Sequence, residues 1–226
     1  MRPIGRLRTC FPDKFGVPRQ PGMVPAAWGR LVFREDLRRP EAVKGLEGFS
    51  HLWVLFLFDG VKEQEVRLQV RPPRLGGNEK RGVYATRSPF RPNRIGLSVC
   101  KLEAVDLACD EGPVLELSGV DVVDGTPVLD VKPYLPYADT VEGAVGGFAA
   151  GRPEAREVLV GGGLQDDFAA LPERLQELIR QTLRWDPRPA FHDQDRRYFL
   201  RLEHLDVGWE VRDGACVVVA LREAGA

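Results

Sequence analysis

From residue 3 to residue 132 the apolar residues fall into short runs, and Gly, Pro, Asn or Asp interrupts almost every one of them. Runs of this length, rich in Val, Leu, Ile and aromatic residues and bounded by turn formers, predict strands. The runs are Pro3–Arg8, Trp28–Arg34, Ser50–Phe58, Glu65–Val70, Gly82–Thr86, Ile95–Val105, Val114–Ser118 and Val128–Lys132. Glu65 to Val70 alternates between polar and apolar residues, as a strand with one buried face does. His51–Phe58 is almost wholly apolar and reads as a strand buried on both faces. Asp124-Gly125 is a tight-turn signal between Val122-Val123 and the strand that follows. Only Glu41–Leu46 suggests a turn of helix. So many short strands in succession predict a closed, or nearly closed, barrel.

The pattern changes after Tyr137. Val141–Gly151 is small and glycine-rich and reads as a linker. Arg156–Val160 suggests a strand. Leu171, Leu175, Leu178, Ile179 and Leu183 share one face of a helix, with Pro172 near its start and Pro187 beyond its end. Arg196–Leu205 and Ala215–Leu221 suggest two final strands. The expected architecture is mainly β: a barrel domain over residues 1–138 and a small α+β domain over residues 139–226, without internal repeats. Val158–Gly163 looks like a strand running into a glycine loop, but it lacks the G-x-G-x-x-G spacing of a dinucleotide site, and Leu164-Gln165-Asp166-Asp167 follows.

The 226 residues are 43% hydrophobic and 29% charged, a globular balance. The longest apolar run, Leu52–Phe58, is too short to span a bilayer, and the first residues have no apolar signal core, so no membrane partner and a cytoplasmic location are expected. Cys10, Cys100, Cys109 and Cys216 form no CxxC pair, and only His51, His192 and His204 accompany them. This predicts reduced, mostly buried thiols and no metal site. There is no nucleophile elbow of the G-x-S-x-G kind; His51 reads as a packed histidine. The net charge of −1 hides an asymmetry: residues 1–100 carry 19 Lys/Arg and 9 Asp/Glu, leaving 13 and 24 for the remainder. Arg71, Arg74, Lys80, Arg81, Arg87, Arg91 and Arg94 face a single acidic residue, Glu79, over residues 71–94. Arginine-rich loops carrying Tyr84 and Phe90 point to a polyanion, and to RNA in particular, where guanidinium groups meet phosphate and rings stack on bases.

Four stiff loops stand out. They are Pro18-Arg19-Gln20-Pro21-Gly22, Arg71-Pro72-Pro73-Arg74-Leu75-Gly76-Gly77-Asn78, Ala85–Gly96, and Asp124-Gly125-Thr126-Pro127 with the following Asp130–Tyr137. Proline fixes φ and cannot donate to a ladder. These segments therefore hold their polar residues on rigid loops at strand ends, where binding sites are built. The plainer reading is that the prolines only terminate strands, but four such loops in about 120 residues favour a site.

At these loops the chain resembles the tRNA N6-threonylcarbamoyladenosine methyltransferases, the TsaA-like β-barrel family. The resemblance rests on Phe15–Gly22, Gly48–Phe56, Val70–Asn78, Ala85–Asn93 and Asp121–Pro136, in that order, and thins to Trp185–Phe191. It implies S-adenosylmethionine as cofactor, tRNA as partner, a homodimer with the cofactor near the subunit interface, and methylation of N6 of threonylcarbamoyladenosine beside the anticodon of threonine tRNA. Carried over by position, it implies cofactor contacts at Pro18, Arg19, Gln20, Asp59, Gly60, Arg87, Leu97, Ser118, Gly119, Val120 and Asp121. Arg19 or Arg87 would meet the methionine carboxylate.

Attack by the adenine nitrogen is easier when its proton is removed, so a general base is expected among Asp121, Asp124 and Asp130, with Lys132 or Tyr134 as orienting groups. The alternative for these residues is turn and ladder hydrogen bonding, the usual role of an Asp in an Asp-Gly turn. Arg71, Arg74, Arg87, Arg91 and Arg94 are the expected phosphate contacts, Tyr134 or Phe90 the expected stacking ring, and Arg91 or Lys132 the expected partner of a threonyl carboxylate. Two other functions stay open at this stage: methylation of unmodified adenosine in tRNA, and a non-catalytic tRNA-binding module.

Overall fold

The computed structural model describes residues 1–61, 66–188 and 196–225. The chain divides into two compact units. The first comprises residues 1–8, 30–117 and 125–152; the second comprises residues 9–29, 118–124 and 153–226.

The strands of the first part of the chain are β1 (Gly5–Thr9), β2 (Trp28–Phe33), β3 (His51–Leu57), β4 (Gln69–Val70), β5 (Arg81–Gly82), β6 (Ile95–Asp106), β7 (Val114–Ser118) and β8 (Thr126–Pro133). Two short helices join them, α1 (Pro40–Val43) and α2 (Pro136–Asp139). Six strands close a barrel in the order β1-β2-β7-β6-β3-β8. β3 lies between β6 and β8, antiparallel to both, with Leu55 opposite Leu97 on one side and Asp130 on the other. Antiparallel pairing of β8 with β1, Val128 opposite Gly5, closes the ring.

The alternation in the sequence becomes an inside and an outside. Leu52, Val54 and Phe56 of β3 are buried, with Ser98, Cys100 and Leu102 of β6 and Leu115 and Leu117 of β7. The expectation that β3 is buried on both faces is corrected: His51, Trp53, Leu55 and Leu57 are only half-buried, because they point away from the barrel interior. Two glycines make the interior fit. A Cβ on Gly96 would strike the Phe56 ring, and one on Gly5 would strike the Val32 carbonyl oxygen.

Two expected strands are not formed at the predicted length. In the stretch 65–70, Gln69–Val70 alone is a strand, Glu65 lies outside the described residues, and Leu68 is 73% exposed. Among the described residues its strand partner is β5 alone, so the alternating pattern has no larger sheet to lie on. In the stretch 82–86, Val83–Ala85 is a 3-10 turn closed by Thr86, whose N–H and hydroxyl both donate to the Val83 carbonyl. Val122-Val123 is likewise not a strand.

The later elements are β9 (Val158–Val160), α3 (Gln165–Ala170), α4 (Glu173–Arg184), β10 (Tyr198–Leu202), β11 (Leu205–Arg212) and β12 (Ala215–Glu223). They form a four-stranded sheet in the order β10-β11-β12-β9, with β9 parallel to β12. The predicted helix is α4, and its buried residues Leu175, Leu178, Ile179, Thr182 and Leu183 follow the helical period. β11 and α3 were not anticipated. Strands β10 and β11 are separated by only Glu203-His204, with Glu203 at φ 53°, so they merge into one run in the sequence. The glycine loop after β9 does lead into a helix, but α3 has six residues and puts Asp166 and Asp167 in its first turn, which repels phosphate.

Cys10, Cys100 and Cys216 are buried and Cys109 is half-buried. Burial pushes the thiols of Cys10 and Cys216 up to about 12, so both stay protonated. His51 is half-exposed and shares a hydrogen bond between its Nδ1 and the Ser50 hydroxyl, which corrects the packed-histidine reading. His192 lies outside the described residues. Among the described residues no helix is long and apolar enough to cross a membrane, and no three His, Cys, Asp or Glu side chains are grouped to hold a metal ion.

Gly96→Val should destabilise the protein by about 1–3 kcal/mol, because the added methyls must displace Phe56 from the barrel interior. Denaturant unfolding followed by tryptophan fluorescence measures this.

Candidate cofactor and RNA site

The second unit brings two of the predicted loops together. The Gly22 N–H donates to the Gly119 carbonyl oxygen at 2.9 Å, and the Val120 N–H to the Ala27 carbonyl oxygen at 3.3 Å. Pro18, Arg19 and Gln20 thus sit beside Ser118, Gly119, Val120 and Asp121, a hundred residues away in sequence. Both glycines have positive φ, +70° and +71°, and a Cβ on Gly119 would lie 3.2 Å from the Gly22 Cα. Close approach of the two backbones requires glycine here. Arg19 is exposed, and its Nη2 donates to the Arg188 carbonyl oxygen at 3.0 Å. Asp124, in the same unit, accepts the Thr9 N–H through Oδ1 at 2.8 Å, while its own N–H donates to the Phe11 carbonyl oxygen. This is the turn-holding role that an Asp-Gly sequence usually has.

The first unit holds the remaining candidates in three places. Asp59 and Gly60 form the turn after β3. The Phe58 N–H donates to the Arg94 carbonyl oxygen at 2.8 Å, and Arg94 Nη1 donates to the Val61 carbonyl oxygen at 2.7 Å. Arg94, at φ 52°, therefore braces this turn. On the outward face of β6-β3-β8, the register sets Leu97 opposite Leu55 and Leu55 opposite Asp130; one pleat on, Val99, Trp53 and Lys132 form the next row. Leu97 is 49% exposed. The Tyr134 ring lies 5.8 Å from Trp53 and 6.3 Å from His51, and its hydroxyl is 3.0 Å from the Thr140 hydroxyl. Leu97, Asp130, Lys132 and Tyr134 are thus neighbours on one surface, whereas Asp121 and Asp124 belong to the other unit.

The third place is the arginine-rich loop. Ser88 and Thr86 hydroxyls cap local N–H groups, and Arg91 Nη1 donates to the Thr86 carbonyl oxygen at 3.2 Å, so the loop carrying Arg87 is internally braced. Arg71 is exposed, and Arg74 donates to the Gly151 carbonyl oxygen. Phe90 already has a planar partner: the Arg67 guanidinium lies 4.4 Å from its ring centroid. Arg67 and Trp53 were not singled out from sequence. Arg67 lies in what reads as an ordinary alternating strand, and Trp53 inside an apolar run.

Two family models cover most of the chain. The tRNA-methyltransferase O N-terminal domain family matches residues 6–140, and the corresponding C-terminal domain family matches residues 162–224. This chain belongs to the tRNA-methyltransferase O family. A tRNA (adenine(37)-N6)-methyltransferase of Escherichia coli K12 is 42% identical over 225 residues, which cover 96% of this chain and 95% of that protein. A Pseudomonas aeruginosa relative, whose name provisionally assigns it to the S-adenosylmethionine-dependent methyltransferases, is 48% identical over 213 residues, 92% of this chain and 90% of that one. The crystal structure of TrmO from Pseudomonas aeruginosa superposes with a TM-score of 0.79 at 38% identity, over 98% of this chain and 96% of that chain.

Beside the Pro18–Gly22 loop of this tRNA-methyltransferase O family member stands a charged cluster that sequence reasoning passed over. Asp186 accepts from Arg188 through Nε at 2.8 Å and Nη2 at 2.7 Å, and from Arg156 Nε at 2.8 Å. Burial raises its carboxyl, but the Arg188 hydrogen bonds and the charges of Arg188 and Arg156 outweigh that and hold it below the usual carboxylate range. A depressed folded value adds stability above the unfolded value and loses it as pH falls through the folded one. Stability should therefore drop as pH falls below about 4, the unfolded carboxylate value. Asp186→Asn should flatten that part of the acid-unfolding curve while lowering stability at pH 7, as pH-dependent thermal melts will show.

Proposed function

We propose that this chain transfers the methyl group of S-adenosylmethionine to N6 of adenosine 37 in tRNA, and that the adenosine carries a threonylcarbamoyl group. The observation that carries the reading is the junction of Pro18–Gly22 with Ser118–Asp121 through Gly22 and Gly119. Two distant motifs of the family build one polar loop pair, and a relative named tRNA (adenine(37)-N6)-methyltransferase covers 96% of the chain.

The groups available fit S-adenosylmethionine in kind. The exposed Arg19 guanidinium suits its carboxylate, with Arg87 as a second cation. The Asp121 carboxylate and the Ser118 hydroxyl suit its ammonium and ribose groups, and half-exposed Leu97 offers an apolar surface for adenine. Pro18, Gln20, Asp59, Gly60, Gly119 and Val120 complete the proposed contacts. When bound, the cofactor supplies a methyl group already activated by its sulfonium, so the protein's main task is positioning.

The adenine nitrogen is a poor nucleophile because its lone pair is delocalised, and removal of its proton helps. Asp130 and Asp121 are the carboxylates we assign to that step; Asp130 accepts the Val131 N–H of its own strand, whereas Asp124 ties the turn to β1 through the Thr9 N–H. Tyr134, fixed between Trp53 and Thr140, offers a ring to the base. Lys132, one pleat from Asp130, offers a cation to the threonyl carboxylate.

Arg71, Arg74, Arg87 and Arg91 are the proposed phosphate contacts. Phe90, already stacked on Arg67, and Arg94, which braces the Asp59 turn, act by shaping their loops. The partly exposed apolar row of Leu97, Leu55, Val99 and Trp53 supports a homodimer that covers it. A tRNA substrate supports a cytoplasmic location, and we read residues 1–138 as the cofactor domain and 139–226 as an accessory domain.

The test is transfer of labelled methyl from S-adenosylmethionine to tRNA from cells lacking this protein. Nucleoside mass analysis should find threonylcarbamoyladenosine one methyl heavier; label in plain adenosine would overturn the substrate, and saturable tRNA binding without incorporation would overturn the enzyme. Arg87→Ala and Asp121→Ala should each lower kcat/KM by about 100-fold or more. Arg71→Ala and Arg91→Ala should each reduce the slope of log affinity against log salt by about 1.

A further inference from the structure

The segment from Pro18 to Ala26 has no helix or strand of its own, and Val24 is its one fully buried side chain. Its fixed shape comes from hydrogen bonds. One is the backbone bond from Gly22 to Gly119, and another is the Ala27 N–H to the Val24 carbonyl oxygen. The other three come from α4 and the turn after it. The Trp185 indole Nε1 donates to the Met23 carbonyl oxygen at 2.6 Å. The Ala26 N–H donates to Gln181 Oε1 at 2.7 Å, and Gln181 is itself oriented by donating through Nε2 to Glu177 Oε1 at 2.7 Å. The Arg188 carbonyl oxygen accepts from Arg19, and Arg188 is held by Asp186.

Behind the loop lies a small cavity of about 40 Å3 lined by Pro18, Arg19, Met23, Thr182, Trp185 and Pro187, among others. The Thr182 hydroxyl there is buried and makes no hydrogen bond. Packing alone therefore does not pin the loop, and removing a polar tether leaves it room to move.

We infer that Gln181 and Trp185 are positioning residues for the cofactor: they act through the Pro18–Ala26 loop, so the C-terminal part of the chain sets the affinity for S-adenosylmethionine. The inference rests on the proposed function, because it takes Pro18, Arg19 and Gln20 as cofactor contacts. A loop held in its binding shape before the ligand arrives spares the ordering cost, and the gain appears in affinity.

The test uses the full-length protein and titration calorimetry with S-adenosylmethionine. Gln181→Leu and Trp185→Phe should each raise Kd by roughly 3- to 10-fold, the effect of losing one hydrogen bond between neutral groups. The swap Glu177→Gln with Gln181→Glu, which keeps an acceptor for the Ala26 N–H and a donor–acceptor pair between positions 177 and 181, should return Kd to within about 2-fold of wild type. With saturating cofactor, kcat on tRNA should stay within about 2-fold of wild type, so the loss appears in KM for the cofactor. Hydrogen exchange supplies a readout apart from activity: the Ala26 amide should exchange faster in Gln181→Leu and not in the Glu177→Gln, Gln181→Glu swap. Faster exchange at Ala26 with an unchanged Kd would overturn the inference, as would a fall in kcat with KM unmoved. If the wild-type protein itself failed to bind S-adenosylmethionine, the proposed function would fall, and this inference with it.

Discussion

The first unit depends on the return of β8 to β1. Until Val128 pairs with Gly5, the β1-β2-β7-β6-β3-β8 sheet has two open edges and half its backbone groups along them unpaired. Closure abolishes those edges and also commits every strand to one inner and one outer face. The interior is then too narrow for side chains at every inward position. Gly96 yields to Phe56, and Gly5 yields to the backbone of β2. The outward rows, Leu97–Leu55–Asp130 and Val99–Trp53–Lys132, follow from the same registers. A slip of one residue in β3 would turn Trp53 inward and Val54 outward, so the chemistry proposed for that surface is fixed by the barrel's hydrogen-bond ladder.

A second constraint governs the loops. Most of the residues proposed to touch the cofactor are carried by segments without regular structure, and these segments are held by polar tethers. Arg94 braces the Asp59–Gly60 turn through the Val61 carbonyl, and Arg91 braces its own loop through the Thr86 carbonyl. The Pro18–Gly22 loop is braced by Gly119 on one side and by Trp185, Gln181 and Arg188 on another. Several of the arginines that stand out in the sequence thus work partly as struts. Five donors in a fixed fork let one guanidinium bind a carbonyl and keep charge available for a ligand.

The family resemblance was legible because its motifs are proline- and glycine-rich. Such residues restrict the backbone locally, so their spacing identifies a loop whatever surrounds it. The C-terminal part was less legible for the opposite reason. Its apolar runs are continuous from β10 into β11, and the turn between them depends on Glu203 adopting a left-handed conformation that nothing in the residue type announces. The alternation from Glu65 to Val70 misled in a related way: period two describes a strand that has a sheet to join, and only Gln69 and Val70 find one. The turn-holding role of Asp124 was legible in its Asp-Gly sequence, but its partner Thr9 was not, and the brace from Arg94 to Val61 was beyond reach because the local sequence does not specify that partner.

By itself the sequence determined the mainly β architecture, the stiff loops at strand ends, the α4 helix and the reading of the family. All of these rest on dihedral preferences and hydrophobic periods that act within a few residues. Tertiary structure decided which of those pieces meet. It set Gly22 against Gly119, Arg67 over Phe90, Leu97 and Asp130 on either side of β3, and Trp185 against Met23, 162 residues before it. Such contacts are chosen by sheet closure and by the packing of distant segments, in which each residue's partner is a property of the whole chain.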